Sequence, residues 1–203
     1  MTVRIESDRQ AAYPGQPEIA VTEPLPKPWT VEDFLEWEAQ QPERYEFIDG
    51  RILGMVGGSA AHATIKGNVF ARLRARLQGG PCRVFVESLK VVTGVASHYP
   101  DVVVTYSPVQ PSDDQIREPV VVVEVLSRTT ADRDRSAKWV GYQDIPSLQH
   151  YVLVAQESRR AELFTRADDG WHLRIIRPPG GKVELSAIGV VLTLDEIYED
   201  SGA

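Results

Sequence analysis

The sequence predicts an α/β fold of the mixed α+β type, in which helices flank a central mixed sheet. Three patterns carry this prediction: apolar residues at four-residue spacing between 65 and 77, valine-rich runs at 101–106 and 120–126, and an Asp-Gly pair between two short apolar segments. A chain of 203 residues, 42% hydrophobic and 25% charged, has the composition of an ordinary globular protein. We expect a single domain over 29–203, preceded by an extended arm.

The arm is predicted for residues 1–28, which contain five prolines and no sustained apolar period. A helix follows. Thr30 is placed to cap it, Asp33 stands three positions on, and Phe34 and Trp37 supply an apolar face that runs to Ala39, before Pro42.

A hairpin and a long helix come next. Residues 45–48 and 51–53 flank Asp49-Gly50, a pair that favours the positive φ angles of a two-residue turn. The amphipathic helix that follows carries its apolar residues at Ile65, Val69, Leu73 and Leu77, and Gly79-Gly80-Pro81 ends it.

The rest of the chain changes to the two-residue period of strands. Strands are predicted at 83–92, 101–106 and 120–126, the last almost continuously apolar and therefore central. A helix is then expected from Thr129 or Thr130 to about Gln143, followed by strands near 149–154, 161–165 and 171–176 and a short capped helix at 193–199.

The charge balance limits the nucleic-acid interpretation. The net charge is −7 and the pI about 5.2, whereas domains that coat DNA tend to be basic. A polyanion must therefore be held locally. The candidate basic patches are Arg72, Arg74 and Arg76, and the run of Arg128, Arg133, Arg135 and Lys138, although such runs are most often solvated helix faces.

The sequence indicates a cytoplasmic protein without a membrane partner. Cys82 is the one cysteine, which suits a reducing compartment, and the N-terminus lacks the apolar core of a secretory signal. The longest mainly apolar stretch, 119–126, is interrupted by Glu124 and is far shorter than the roughly 20 residues of a membrane span.

Glu124 stands in the strand that should be the most buried, and an uncompensated carboxylate there would cost several kcal/mol. Asp101 begins the preceding long strand, and 12 residues, 107–118, join the two. If these strands pair antiparallel, both carboxylates reach the same edge of the sheet, provided that the register puts them on the same face. Two carboxylates suit Mg²⁺, with Mn²⁺ as a substitute. A structural ion pair in the core is the alternative for Glu124.

Two further residues are candidates for the same site. Asp134, Lys138 and Tyr142 follow one another at four-residue spacing, so one helix face can turn back towards Glu124. Lys138 could then act on an attacking water or a phosphate, or merely pair with Asp134. Glu46 lies just before the hairpin turn and could face inward as a catalytic or metal-ligating residue, or outward as an ordinary hairpin residue.

Several segments together resemble the Uma-two (Uma2) family of restriction-endonuclease-like proteins, a branch of the PD-(D/E)XK nuclease superfamily. The resemblance extends over about 30–200 and rests on 44–50, His62, 99–104, 122–127, Asp134 with Lys138 and Tyr142, and 151–154. It implies a restriction-endonuclease-like fold, a homodimer, and Mg²⁺-dependent hydrolysis of DNA phosphodiester bonds.

By the same resemblance, Asp101 and Glu124 match the acidic metal ligands, and Glu46 matches an early glutamate of the family. Leu126 stands where the superfamily has a lysine, two positions after Glu124, which leaves Lys138 as the displaced lysine. Two other functions are compatible with the sequence: a catalytically silent module that binds nucleic acid or protein, and a phosphoesterase that acts on small substrates.

Overall fold

The computed structural model describes residues 28–55, 57–127 and 135–203. Within these ranges the chain forms helices α1 (Val31–Glu38), α2 (Ala60–Leu77), α3 (Ala137–Gln143) and α4 (Leu194–Ile197). The strands are β1 (Tyr45–Ile48), β2 (Arg51–Gly54), β3 (Arg83–Val86), β4 (Lys90–Val92), β5 (Ser97–His98), β6 (Val102–Thr105), β7 (Gln115–Ile116), β8 (Pro119–Leu126), β9 (His150–Ala155), β10 (Ala161–Ala167), β11 (Gly170–Ile176), β12 (Lys182–Leu185) and β13 (Val190–Thr193). The predicted mixed α+β class, with a mixed sheet flanked by helices, is confirmed.

The central sheet has six strands in the order β11-β10-β9-β8-β6-β3. Adjacent strands in this sheet pair antiparallel, except β8 and β9, which pair parallel. All eight residues of β8 are buried, as its apolar sequence predicts. The sheet has a hydrophobic core on each face, one against α2 and one against α3. From Val121 onwards the valines of β8 alternate between them, with Val121, Val123 and Val125 on the side of α2 and Val122 on the side of α3.

A second, five-stranded sheet has the order β2-β1-β5-β4-β7. The predicted hairpin forms its β1 and β2, and Asp49 and Gly50 both have positive φ, 51° and 71°. Helix α1 covers this sheet, where Phe34 stacks on Phe47 with ring centroids 5.3 Å apart. Thr30 caps α1 as predicted, in a reciprocal capping box with Asp33.

The prediction of one strand over 83–92 is wrong. The chain breaks at Glu87, whose φ is 51°, so that β3 joins the six-stranded sheet and β4 the five-stranded one. A left-handed residue cannot continue a strand, and alternation of apolar residues alone does not reveal one. The connection 107–118 likewise contains the short strand β7, which pairs parallel with β4.

The predicted arm, 1–28, lies outside the described residues except for Pro28, and so does the predicted start of the helix at Thr129 or Thr130. Helix α3 ends at Gln143, as expected. In the described ranges, no helix combines the length and the apolar composition that a bilayer span needs.

Candidate active site

Strand pairing brings Asp101 and Glu124 to the same edge of the six-stranded sheet. Strands β6 and β8 pair antiparallel with Val102 opposite Val123, so the same register places Asp101 opposite Glu124. The carboxylate of Asp101 accepts a hydrogen bond from the Val125 amide at 2.7 Å, which ties the two strands together at this point. The antiparallel pairing that the sequence argument required is present between β6 and β8.

Lys138 connects Glu124 to the second sheet. Its Nζ lies 3.1 Å from Glu124 Oε1 and 3.0 Å from Glu46 Oε1. The three side chains are buried, with 3–6% of each residue exposed. Tyr142, one turn further along α3, donates from its hydroxyl to Glu124 Oε1 at 3.2 Å. One face of α3 therefore supplies an ammonium and a phenol to the buried carboxylate, as the four-residue spacing predicted.

Glu46 faces inward, which settles the alternative that the sequence left open. It lies in β1, and its Oε1 accepts a hydrogen bond from the Tyr99 amide at 3.0 Å. The Tyr99 hydroxyl in turn donates to Glu38 at 2.8 Å, and Glu38 forms a buried ion pair with Lys90 at 2.9 Å. Burial and the Glu38 carboxylate raise the pKa of Tyr99, so this phenol stays a donor. A continuous polar network thus fixes Glu46 and the segment that leads to Asp101.

Helix α2 contributes a histidine and a lysine that the sequence analysis did not place in the site. His62 Nε2 lies 3.4 Å from Asp101 Oδ2, and Lys66 Nζ lies 3.9 Å from Asp101 Oδ1 and contacts the Glu87 carboxylate. His62 and Lys66 are four residues apart and therefore share one helix face. That spacing is the signal that could have identified them, although the same spacing is common on solvated helix faces.

The surroundings of Asp101 favour its charged form. Burial alone would raise the pKa of this carboxyl, but the hydrogen bond and charge of His62, the Val125 amide and the charge of Lys138 together hold its pKa below the ordinary value. Asp101 is therefore a carboxylate at neutral pH. Burial acts in the opposite sense on Lys66 and lowers the pKa of its ammonium, although Asp101 opposes this effect.

The donor set fits a small divalent cation held by two carboxylates. Asp101 and Glu124 offer hard oxygen atoms at one sheet edge, and Mg²⁺ commonly takes one or two protein carboxylates and completes its shell with water. Over the described ranges, no group of three His, Cys, Asp or Glu side chains is spaced to hold a metal. Glu46 and Glu124 both pair with Lys138, which places an ammonium between two of the candidate carboxylates.

Four described members of the predicted basic patches, Arg72, Arg76, Arg135 and Lys138, pair with carboxylates. On α2, Arg72 pairs with Glu199 and Arg76 with Glu196 at the C-terminal end of the chain. Arg135 pairs with Glu162 at 2.9 Å. Arg128, Arg133 and Asp134 lie outside the described residues. Among the described residues, Lys138 and Lys66 are the ammonium groups that contact the candidate carboxylates.

Comparison with known proteins agrees with this architecture. The model of the Uma2 family, described as "Putative restriction endonuclease", matches residues 31–195. Two uncharacterized proteins of Synechocystis sp. are 36% and 29% identical, over 86% and 77% of this chain and 93% and 92% of their own.

A crystal structure from Anabaena variabilis, described as a "putative nuclease belonging to DUF820", superposes with a TM-score of 0.70 at 17% identity and covers 84% of this chain and 98% of that one. This likeness shows that the two chains share a fold. The family match spans most of the sequence and includes every element of the candidate site, and the chain belongs to the Uma2 family of restriction-endonuclease-like proteins.

Proposed function

We propose that this protein is a Mg²⁺-dependent endonuclease that hydrolyses DNA phosphodiester bonds. The observation that carries the proposal is the buried cluster in which Lys138 bridges Glu46 and Glu124 beside Asp101. Burying a cluster of charged side chains against the central strand β8 costs free energy that a purely structural core avoids with apolar residues. The description of the family and that of the Anabaena protein support the same class of reaction.

Asp101 and Glu124 would hold the metal ion. When bound, Mg²⁺ would polarise a phosphoryl oxygen and stabilise the negative charge that develops in the reaction, and Mn²⁺ would substitute for it. Asp101 suits this role because its surroundings keep it ionised. Glu124 suits it because Lys138 and Tyr142 fix the orientation of its carboxylate.

Lys138 would act on the nucleophile and Glu46 would position Lys138. An ammonium held by two carboxylates has a fixed place, from which it donates a hydrogen bond to the attacking water. Glu46 is itself held by the Tyr99 amide, so Lys138 is anchored through Glu46 to the five-stranded sheet and would hold the attacking water in a fixed position. In this proposal Glu46 is an outer residue of the site, which would orient a metal-bound water without holding the metal directly.

The test is the cleavage of labelled single-stranded and double-stranded DNA in Mg²⁺, Mn²⁺ or EDTA. We expect DNA cleavage to require the metal. We expect its rate to fall at least 100-fold in both Asp101→Asn and Glu124→Gln. Glu162→Gln is the matched control: Glu162 is equally buried, and the register of β8, β9 and β10 places it two strands from Glu124, about 10 Å away. It pairs with Arg135 and Arg160 and should retain activity.

Full activity in either site variant would contradict the assignment of the metal ligands. Binding of DNA without cleavage in any metal, unchanged in Glu124→Gln, would favour the silent binding module. Cleavage of a nucleotide ester but not of DNA would favour a small-substrate phosphoesterase. The homodimeric state and cytoplasmic location remain predictions from the sequence, and sedimentation of the purified protein tests the former.

A further inference from the structure

The two lysines of the site are held by carboxylates of different kinds. Lys138 lies between Glu46 and Glu124, both almost completely buried. Lys66 is held chiefly by Glu87, because its 3.9 Å separation from Asp101 exceeds hydrogen-bond distance. The side chain of Glu87 is 45% exposed, whereas that of Lys66 is 12% exposed. Lys66 therefore has a carboxylate partner, Glu87, that can move into solvent at little cost.

Glu87 is anchored through its backbone, so a movement of its carboxylate would not displace the main chain. Its amide donates to the Asp101 carbonyl at 3.2 Å, its carbonyl accepts from Arg44 at 3.0 Å, and its φ of 51° belongs to the turn that connects the two sheets. The carboxylate thus lies at the rim of the site, within reach of the ammonium of Lys66, while the main chain holds its place.

We propose that Lys66 binds a non-bridging oxygen of the substrate phosphodiester, and that Glu87 occupies this position as a competing anion until the substrate displaces it. The proposal rests on the proposed function, to which it adds a substrate-binding residue and an intramolecular competitor. The charges support it, because among the described residues the carboxylates of Glu46, Glu87, Asp101 and Glu124 contact two ammonium groups, those of Lys66 and Lys138, and a phosphodiester adds one more negative charge. Outward movement of Glu87 lets the phosphate take its place without raising the local negative charge.

The proposal predicts opposite effects for the two partners of one ion pair. Lys66→Met removes a charge-assisted hydrogen bond and should weaken DNA binding about tenfold. It should also make the slope of log binding constant against log salt concentration shallower by about the amount that one phosphate contact contributes. Loss of the competitor in Glu87→Gln should tighten binding about two- to fivefold. The double variant should bind no better than Lys66→Met alone, because Glu87 acts only through Lys66.

The experiment is fluorescence anisotropy of a labelled DNA duplex in EDTA over a series of salt concentrations, accompanied by a cleavage assay in Mg²⁺. Glu199→Gln is the matched control, since it removes the same charge and releases Arg72 of the same helix from an exposed carboxylate. The proposal is supported if Glu87→Gln binds DNA more tightly than Glu199→Gln does, and if this difference is lost when Glu87→Gln is combined with Lys66→Met.

Equal or weaker binding by Glu87→Gln, relative to the wild type, overturns the proposal even if Lys66→Met does not fold. If the wild type cleaves DNA and Glu87→Gln shows no gain in DNA affinity, the proposed function stands and this inference fails. If the wild type neither binds nor cleaves DNA, the proposed function fails and takes this inference with it.

Discussion

Replacement of Lys138 by methionine removes the ammonium that two buried carboxylates share, and we expect it to lower the free energy of unfolding by about 3–5 kcal/mol. The separations of 3.0 and 3.1 Å correspond to a Coulomb energy of about 5 kcal/mol for each pair at an effective dielectric constant of about 20. The energy of burying the three charges opposes much of this. Methionine keeps the volume of the lysine stem, so the loss comes from the two carboxylates left without their cation.

The assay is urea unfolding at pH 7, followed by the fluorescence of the four tryptophans. Lys182→Met is the control, because Lys182 is exposed in β12 and its replacement should change stability by less than about 0.5 kcal/mol. The double variant Lys138→Met/Glu124→Gln should recover part of the loss, since it also removes one of the two negative charges that Lys138 compensates. A loss below about 1 kcal/mol at unchanged m-value would refute the reasoning and would mean that water reaches the cluster.

Three other predictions follow from local geometry. His150 accepts a hydrogen bond from the Ala187 amide through Nε2, and burial lowers its pKa to about 4, so protons bind the unfolded chain preferentially between about pH 6.5 and 4. Stability should therefore fall as the pH drops through this window, by at most about 3 kcal/mol, and urea titrations of His150→Gln should show a flatter pH profile. Gly181→Ala should destabilise the fold by at least about 2 kcal/mol in urea, because its Cβ would lie 2.7 Å from both the Arg177 carbonyl and Leu194. Gly67→Ala, in the middle of α2 with open space around it, should instead raise the melting temperature by a few degrees, and a decrease would contradict the helix-propensity argument.

The antiparallel pairing of the strands next to Asp101 and Glu124 could be predicted, because the two strands are close in sequence and joined by a short connection. A run of valines long enough to be central, interrupted by a carboxylate and joined by 12 residues to a second strand, leaves few arrangements. Lys138 could be predicted for a similar reason, because its helix starts soon after Glu124 and has the spacing of one face. These residues are close in sequence, and the chain has little freedom in how it brings them together.

The contribution of α2 could not be predicted in the same way. His62 and Lys66 meet Asp101 only after about 40 residues of intervening chain, and no periodicity encodes which face of α2 turns towards the edge of the sheet. The division into two sheets depends on the left-handed conformation of Glu87, a single backbone angle that a glutamate rarely adopts. Its role as a partner of Lys66 follows from that same turn.

The bond between Lys138 and Glu46 has a consequence for cooperativity. Glu124 belongs to the six-stranded sheet and Asp101 directly precedes its strand β6, whereas Glu46 belongs to the five-stranded sheet that α1 covers. A local opening of the smaller sheet would separate Glu46 from Lys138 while the ends of β6 and β8 beside Asp101 and Glu124 stayed folded. Catalytic competence would then disappear before global unfolding, and mutations in the small aromatic core under α1 would reduce activity at temperatures at which most of the protein is still native.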